Sequence, residues 1–337
     1  MAREARGLRQ QDVVDALGVS QVTVSRWETG SRELSHDELP RLAELYGVTP
    51  DFFTLDERDA GLVAGDLHHR RRRGVRVGDV RQLEAETNIL RIGASRLLDE
   101  VEVDFPLDIP SLAADRFSPA QAATETRRYW NMPIGPVANL TSLLESAGVI
   151  VVHGDFEMGL DGVSMWAGPF PVMHLSRHAP ADRLRFTMAH ELGHLVLHQE
   201  SYDDSRGERE ANEFAAEFLM PADQIRPRLK GLDLRKALTL KLEWWVAVSA
   251  LIVRAKDVQA ITSEQATRLH KQRSARGWTK HEPYGEVFPP ELPTTLERVQ
   301  DTLRSNGLDD DDISRLLCRP RPGAQPSTER GNLRLIQ

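Results

Sequence analysis

The chain has 337 residues, more than one small domain requires, with 40% hydrophobic and 28% charged residues and a formal net charge of −8. Its longest apolar stretch, residues 244–253, is too short to span a bilayer, and a single cysteine, Cys318, rules out an intrachain disulfide or a thiolate metal cluster. The negative balance argues against a general nucleic-acid coat protein. No basic stretch followed by an apolar run opens the sequence, so nothing suggests export, and a cytoplasmic protein with no membrane partner is expected.

Residues up to about Thr54 read as short helices separated by tight turns. Val13, Val14 and Leu17, then Val22, Val24 and Trp27, then Leu39, Leu42 and Leu45 recur at helical spacing, and Gly18, Gly30 and Gly47 fall near helix ends. An apolar face ends at Gly18, and Ser20 is placed to cap a second helix. That helix is expected to turn Val22, Val24 and Trp27 inward and to expose Gln21, Thr23, Ser25 and Arg26. Glutamine can pair with adenine edges, and serine or arginine can hold phosphates.

The pattern over residues 8–30 resembles the XRE family of phage-repressor-like helix-turn-helix domains, and the likeness extends across residues 1–55. It implies a double-stranded DNA operator as partner, contacted by Gln10, Ser20, Gln21, Thr23, Ser25 and Arg26, with the positions of Gln10 and Gln21 the usual DNA-facing pair. A homodimer is expected if the operator is palindromic. Acidic residues outnumber basic ones here, so non-specific phosphate attraction is weak. The alternative is a module that docks on a repressor of similar fold.

Residues 56–79 read as a basic linker containing the run from His68 to Arg73. From Val80, the residues Leu83, Leu90, Ala94, Leu97, Leu98 and Val101 follow a near-heptad period, read as a helix packed on the next domain, with a coiled coil as the alternative. Helices are predicted over 119–131 and 137–147, and strands over 149–153, 163–166 and 171–175. Helices follow over 181–198 and 208–220, and the chain then reads as helical to Leu317, including 294–306 and 309–317. Residues 319–337 are rich in proline and read as a disordered tail.

The sharpest signal is His190-Glu191-Leu192-Gly193-His194 within an apolar helix. A helix stacks His190 above His194, so both imidazoles can reach one zinc ion, and Glu191 lies beside them to take a proton from water. A third ligand is needed. His198 lies two turns beyond His190, roughly 12 Å along the axis, too far to join the same ion. The segment from Glu208 to Pro221 supplies Glu208, with Asn212 one turn behind it to accept a hydrogen bond from a ligand histidine. Glu210 points about 200° away and is the weaker choice.

These two segments, with residues 130–136, 161–166 and 242–256, resemble the ImmA/IrrE metallo-endopeptidases over residues 80–281. At residues 244–247 a Trp-Trp-Val-Ala sequence stands where a basic, glycine-containing turn is usual in that family. The resemblance implies a gluzincin-like α+β fold and cleavage of a partner protein, typically a helix-turn-helix repressor. The expected protein is mainly helical with one α+β domain: a helix-turn-helix domain (1–55), the linker (56–79), a metallopeptidase domain with a small sheet (80–230), a helical C-terminal region (231–318) and the tail (319–337). The expected cofactor is Zn2+, with Mn2+ or another divalent ion the alternative. The competing function is a transcription factor or antitoxin whose peptidase-like domain senses or binds without turnover.

Overall fold

The structure is a computed structural model that describes residues 1–55, 68–69, 76–156, 161–198 and 204–321. In chain order the elements are α1 (Ala2–Ala5), α2 (Gln10–Leu17), α3 (Gln21–Glu28), α4 (Glu38–Tyr46), β1 (His68–His69) and α5 (Val77–Asp99). There follow α6 (Pro119–Tyr129), α7 (Leu140–Ser146), β2 (Ile150–Gly154), β3 (Gly162–Ala167), β4 (Phe170–Ser176), α8 (Ala181–Leu197) and α9 (Asp204–Leu219). The chain continues through α10 (Ala222–Leu229), α11 (Leu234–Trp244), α12 (Val248–Asp257), α13 (Ser263–Ala275), α14 (Thr295–Ser305) and α15 (Asp310–Leu316). No described helix is long and apolar enough to cross a membrane.

These elements form two compact units. The first gathers the described parts of 1–65, 75–103 and 296–337. Gly18 closes α2 in the left-handed region at φ 68°, where a side chain would be strained, and Ser20 then caps α3 by accepting from the Thr23 amide at 3.1 Å. Val13, Val24, Leu42 and Tyr46 are buried in one core with Ala85, Ile89 and Ile92 of α5 and with Cys318. The near-heptad helix therefore belongs to this unit and not to the peptidase-like one expected to begin at Val80. Ala85, Ile89 and Ile92 lie on successive turns and form a face against the N-terminal helices. The C-terminal region divides likewise, because residues 296–321 pack in this unit. Gly93 permits that approach: a Cβ there would lie 2.6 Å from the Leu317 carbonyl oxygen.

The second unit holds a sheet in the order β1-β3-β4-β2. β2 runs parallel to β4, with Ile150 opposite Val172, and β3 runs antiparallel to β4. β1 pairs antiparallel with β3, so His68 and His69, read from sequence as exposed linker, form a short strand. The arginines at 70–73 and the tail from 322 lie outside the described residues. Leu140, Leu144, Val149, Val151, Met173 and Leu175 pack with Met188, Leu192 and Leu195 of α8 and with Phe214 and Phe218 of α9 in a continuous core. Burying this face is what fixes α8 between the sheet and α9.

Buried charges tie the unit together. Arg127 donates to the carbonyls of Phe218, Pro133 and Gly135 at 2.8, 2.8 and 2.9 Å, which explains the loop that follows α6. Lys241 is fully buried between Asp182 and Glu282, and Glu282 also accepts from the amides of Val248 and Ser249 that open α12. Glu291 accepts from the amides of Leu140 and Thr141, and Glu145 from those of Thr294 and Thr295.

Candidate metal centre and DNA-facing helix

α8 and α9 approach closely because Gly193 has no side chain: a Cβ there would sit 3.1 Å from Ala211 Cα and 3.2 Å from Phe214 Cβ. That closeness carries Glu208 to the histidines of α8. His190 Nε2 and His194 Nε2 are 3.2 Å apart, and Glu208 carboxylate oxygens lie 3.7 Å from the first and 3.4 Å from the second. At metal–ligand lengths of about 2.0–2.1 Å, neighbouring corners of a tetrahedron are about 3.3–3.4 Å apart. The three donors are thus spaced as three corners around a single ion, and they are a group of the kind that can hold a metal. Burial raises the Glu208 carboxyl, but hydrogen bonds and charge from His190 and His194 outweigh it and hold the group well below the usual carboxylate range.

Glu191 is completely buried. Its Oε2 accepts from Ser164 Oγ on β3 at 2.6 Å, while Oε1 is buried with no hydrogen-bond partner among the described residues. Burial pushes its carboxyl up to about 7, against the charge of His190 and the Ser164 hydrogen bond. Such a group exchanges a proton readily near neutral pH. Sequence reasoning did not foresee Ser164, although it lies in the 161–166 segment quoted for the resemblance.

Asn212 Nδ2 donates to the Glu208 carbonyl within α9 at 2.6 Å, and Asn212 lines a cleft of about 950 Å³ shared with Phe186, Ala216, Ala247 and Val253. On the side of its ring away from Glu208, His194 meets His198, whose Nδ1 lies 3.1 Å from His194 Nδ1. Glu210 stands apart from the three donors and meets His198 Nε2 at 2.9 Å. Two further histidines of the second unit have partners of their own: His174 is buried against Phe156, and His178 pairs with Asp155 at 2.5 Å.

In the first unit, α3 exposes Gln21 and Arg26, while Thr23 and Ser25 are partly covered. Ser20 is spent on the cap, its Oγ also 2.9 Å from Thr23 Oγ1. Gln10 donates to Glu28 at 2.8 Å, and Glu28 also pairs with Arg3. Val24 is buried and Trp27 partly buried as expected, but Val22 is 59% exposed. The reason is angular: two residues on a helix differ by about 200°, so Val22 and Val24 cannot both face the core.

The family model for the IrrE N-terminal-like domain of peptidase M78 matches residues 145–256, and a helix-turn-helix family model matches residues 1–53. No curated protein matches the chain. The chain therefore joins an XRE-type helix-turn-helix segment to an ImmA/IrrE-like segment, the fusion expected from the sequence. The IrrE-type match is narrower than the 80–281 of the sequence resemblance.

Proposed function

We propose that this chain is a DNA-binding regulator carrying a zinc-dependent endopeptidase that cuts a partner protein, a helix-turn-helix repressor being the expected substrate. The observation that carries this reading is the convergence of His190, His194 and Glu208 beside a carboxylate, Glu191, that keeps one buried oxygen uncommitted. A module retained only for binding has no use for that fourth residue. His190 Nε2, His194 Nε2 and the Glu208 carboxylate would hold the ion. When bound, a divalent cation supplies Lewis-acid chemistry, acidifying a water and polarising a carbonyl. Ser164 fixes one oxygen of Glu191, so the other, Oε1, takes the proton from the attacking water and later passes it to the leaving amine. Gln21 and Arg26 on α3, with Gln10, Ser20, Thr23 and Ser25 around them, make the DNA contacts.

The test is metal content of the wild type beside His194→Ala and Glu191→Gln, followed by incubation with repressors encoded near the gene. About one zinc per chain, lost in His194→Ala and kept in Glu191→Gln, with cleavage lost in both, is the expected outcome. Metal retained in His194→Ala would refute the ligand set. Metal binding as expected, but with no candidate repressor cut by the wild type, would favour the sensor reading.

A further inference from the structure

His190 and His194 look alike in sequence but not in surroundings. The second nitrogen of His190, Nδ1, is buried without a hydrogen-bond partner among the described residues. The second nitrogen of His194 opens a chain of contacts: His194 Nδ1 to His198 Nδ1 at 3.1 Å, His198 Nε2 to Glu210 Oε2 at 2.9 Å, and Arg206 Nε to Glu210 Oε1 at 2.7 Å. Both His194 and His198 are buried.

The proton positions along this chain follow from what each group can donate. An ionised carboxylate only accepts, so the hydrogen between Glu210 and His198 sits on His198 Nε2. A neutral imidazole carries one hydrogen, which leaves His198 Nδ1 as an acceptor. Two facing ring nitrogens need one hydrogen between them, and His194 Nδ1 must then supply it. With its hydrogen on Nδ1, His194 has a bare lone pair on Nε2, the atom that lies with His190 and Glu208.

We propose that His198 and Glu210 are positioning residues that lock His194 in the one tautomer able to give Nε2 to a metal ion. The proposal rests on the reading of His190, His194 and Glu208 as ligands. It gives a use to two residues that the ligand set leaves out, and it explains why a histidine stands at the end of α8, one turn beyond His194. The arrangement acts on one of the two histidines only, since His190 Nδ1 has no such partner among the described residues.

The measurement is zinc affinity of the full chain by competition with a chelating dye, with thermal melts of the metal-free proteins recorded in parallel. His198→Phe and Glu210→Leu should each weaken zinc binding by about 10–100-fold. His198→Asn should stay within a few-fold of wild type, because the Asn carbonyl oxygen takes the place of Nδ1 and accepts from His194 without help from Glu210. In that background Glu210→Leu should add almost nothing, whereas a residue that merely supports packing would cost the same in both. The Co2+ absorption spectrum should change in His198→Phe and stay unaltered in His198→Asn. Wild-type affinity in His198→Phe, or an equal loss from Glu210→Leu in both backgrounds, would overturn the proposal. A wild type that binds no zinc would instead remove the ligand reading on which it stands.

Discussion

Replacing Gly193 with alanine tests whether helix approach, and not merely ligand identity, builds the metal centre. The added methyl would lie 3.1 Å from Ala211 Cα and 3.2 Å from two carbons of Phe214. Comfortable carbon contacts are about 3.5–4.0 Å, so α8 and α9 must part by a few tenths of an ångström. Ala211 and Phe214 are both fully buried, which leaves little slack. Overpacking of this kind costs about 1–3 kcal/mol, while alanine recovers about 1 kcal/mol of helix propensity, so the net loss in metal-free stability should be about 0–2 kcal/mol. The effect on the ion should exceed that on the fold. Glu208 rides on α9, three residues before Ala211, and ligand distances tolerate only about 0.2 Å, so zinc affinity should fall at least about tenfold. Urea unfolding with and without chelator gives the first quantity, and dye competition the second. A Gly193→Ala protein that binds zinc as the wild type does would refute the claim that this close approach sets Glu208.

Lys241→Met removes the cation between Asp182 and Glu282 and should cost about 3–5 kcal/mol in urea unfolding, since buried Asp182 loses its ion-pair partner while Glu282 keeps Arg273 and the amides of Val248 and Ser249; an unchanged midpoint would contradict this. Gln21→Ala should weaken operator binding by about 1–3 kcal/mol in a gel-shift titration, and unaltered binding would shift weight to the protein-docking alternative. Exposed Val22 lies on the same helix, and Val22→Ser should also bind less tightly with no loss of folding stability, through lost contact with a thymine methyl. Burial, and then the charge of Glu28, push the Tyr46 hydroxyl up to about 12. The fold favours the neutral phenol, so this stabilisation is intact below about pH 10 and is lost as pH rises through the folded value. Circular dichroism between pH 10 and 12 should show less alkaline unfolding in Tyr46→Phe than in wild type.

What could be read in the sequence was whatever a single helix encodes. His190 and His194 are four apart, so their juxtaposition follows from helical geometry alone, and Glu208 could be picked from Glu210 by the face each occupies. Ser164 could not be found this way, because its contact with Glu191 joins a strand to a helix 27 residues later. His198 carried half a signal: its distance from His190 excludes it as a ligand, while its spacing from His194 matches that between the two ligands. The length of α5 was legible, but not its neighbours. Apolar residues are buried all round it, from Val80 through Ala85, Ile89, Leu90 and Leu97, so no single stripe told which core it would join. Val22 and Val24 show the opposite failure, where composition suggested burial and angular position forbade it for one of them.

The ties made by Glu282 and Glu291 bear on where the catalytic-like part of the chain can be cut. The family match stops at residue 256. A fragment ending there would strand Lys241 with one carboxylate in place of two and leave the first amides of α12 without the acceptor that Glu282 provides. The start of α7 would lose Glu291 in the same way, and Glu145 would lose the backbone amides it binds. Sequence kinship and autonomous folding therefore end at different places in this chain. The shortest soluble fragment of the second unit should reach residue 295, and a limited proteolysis ladder should stop there and not at 256.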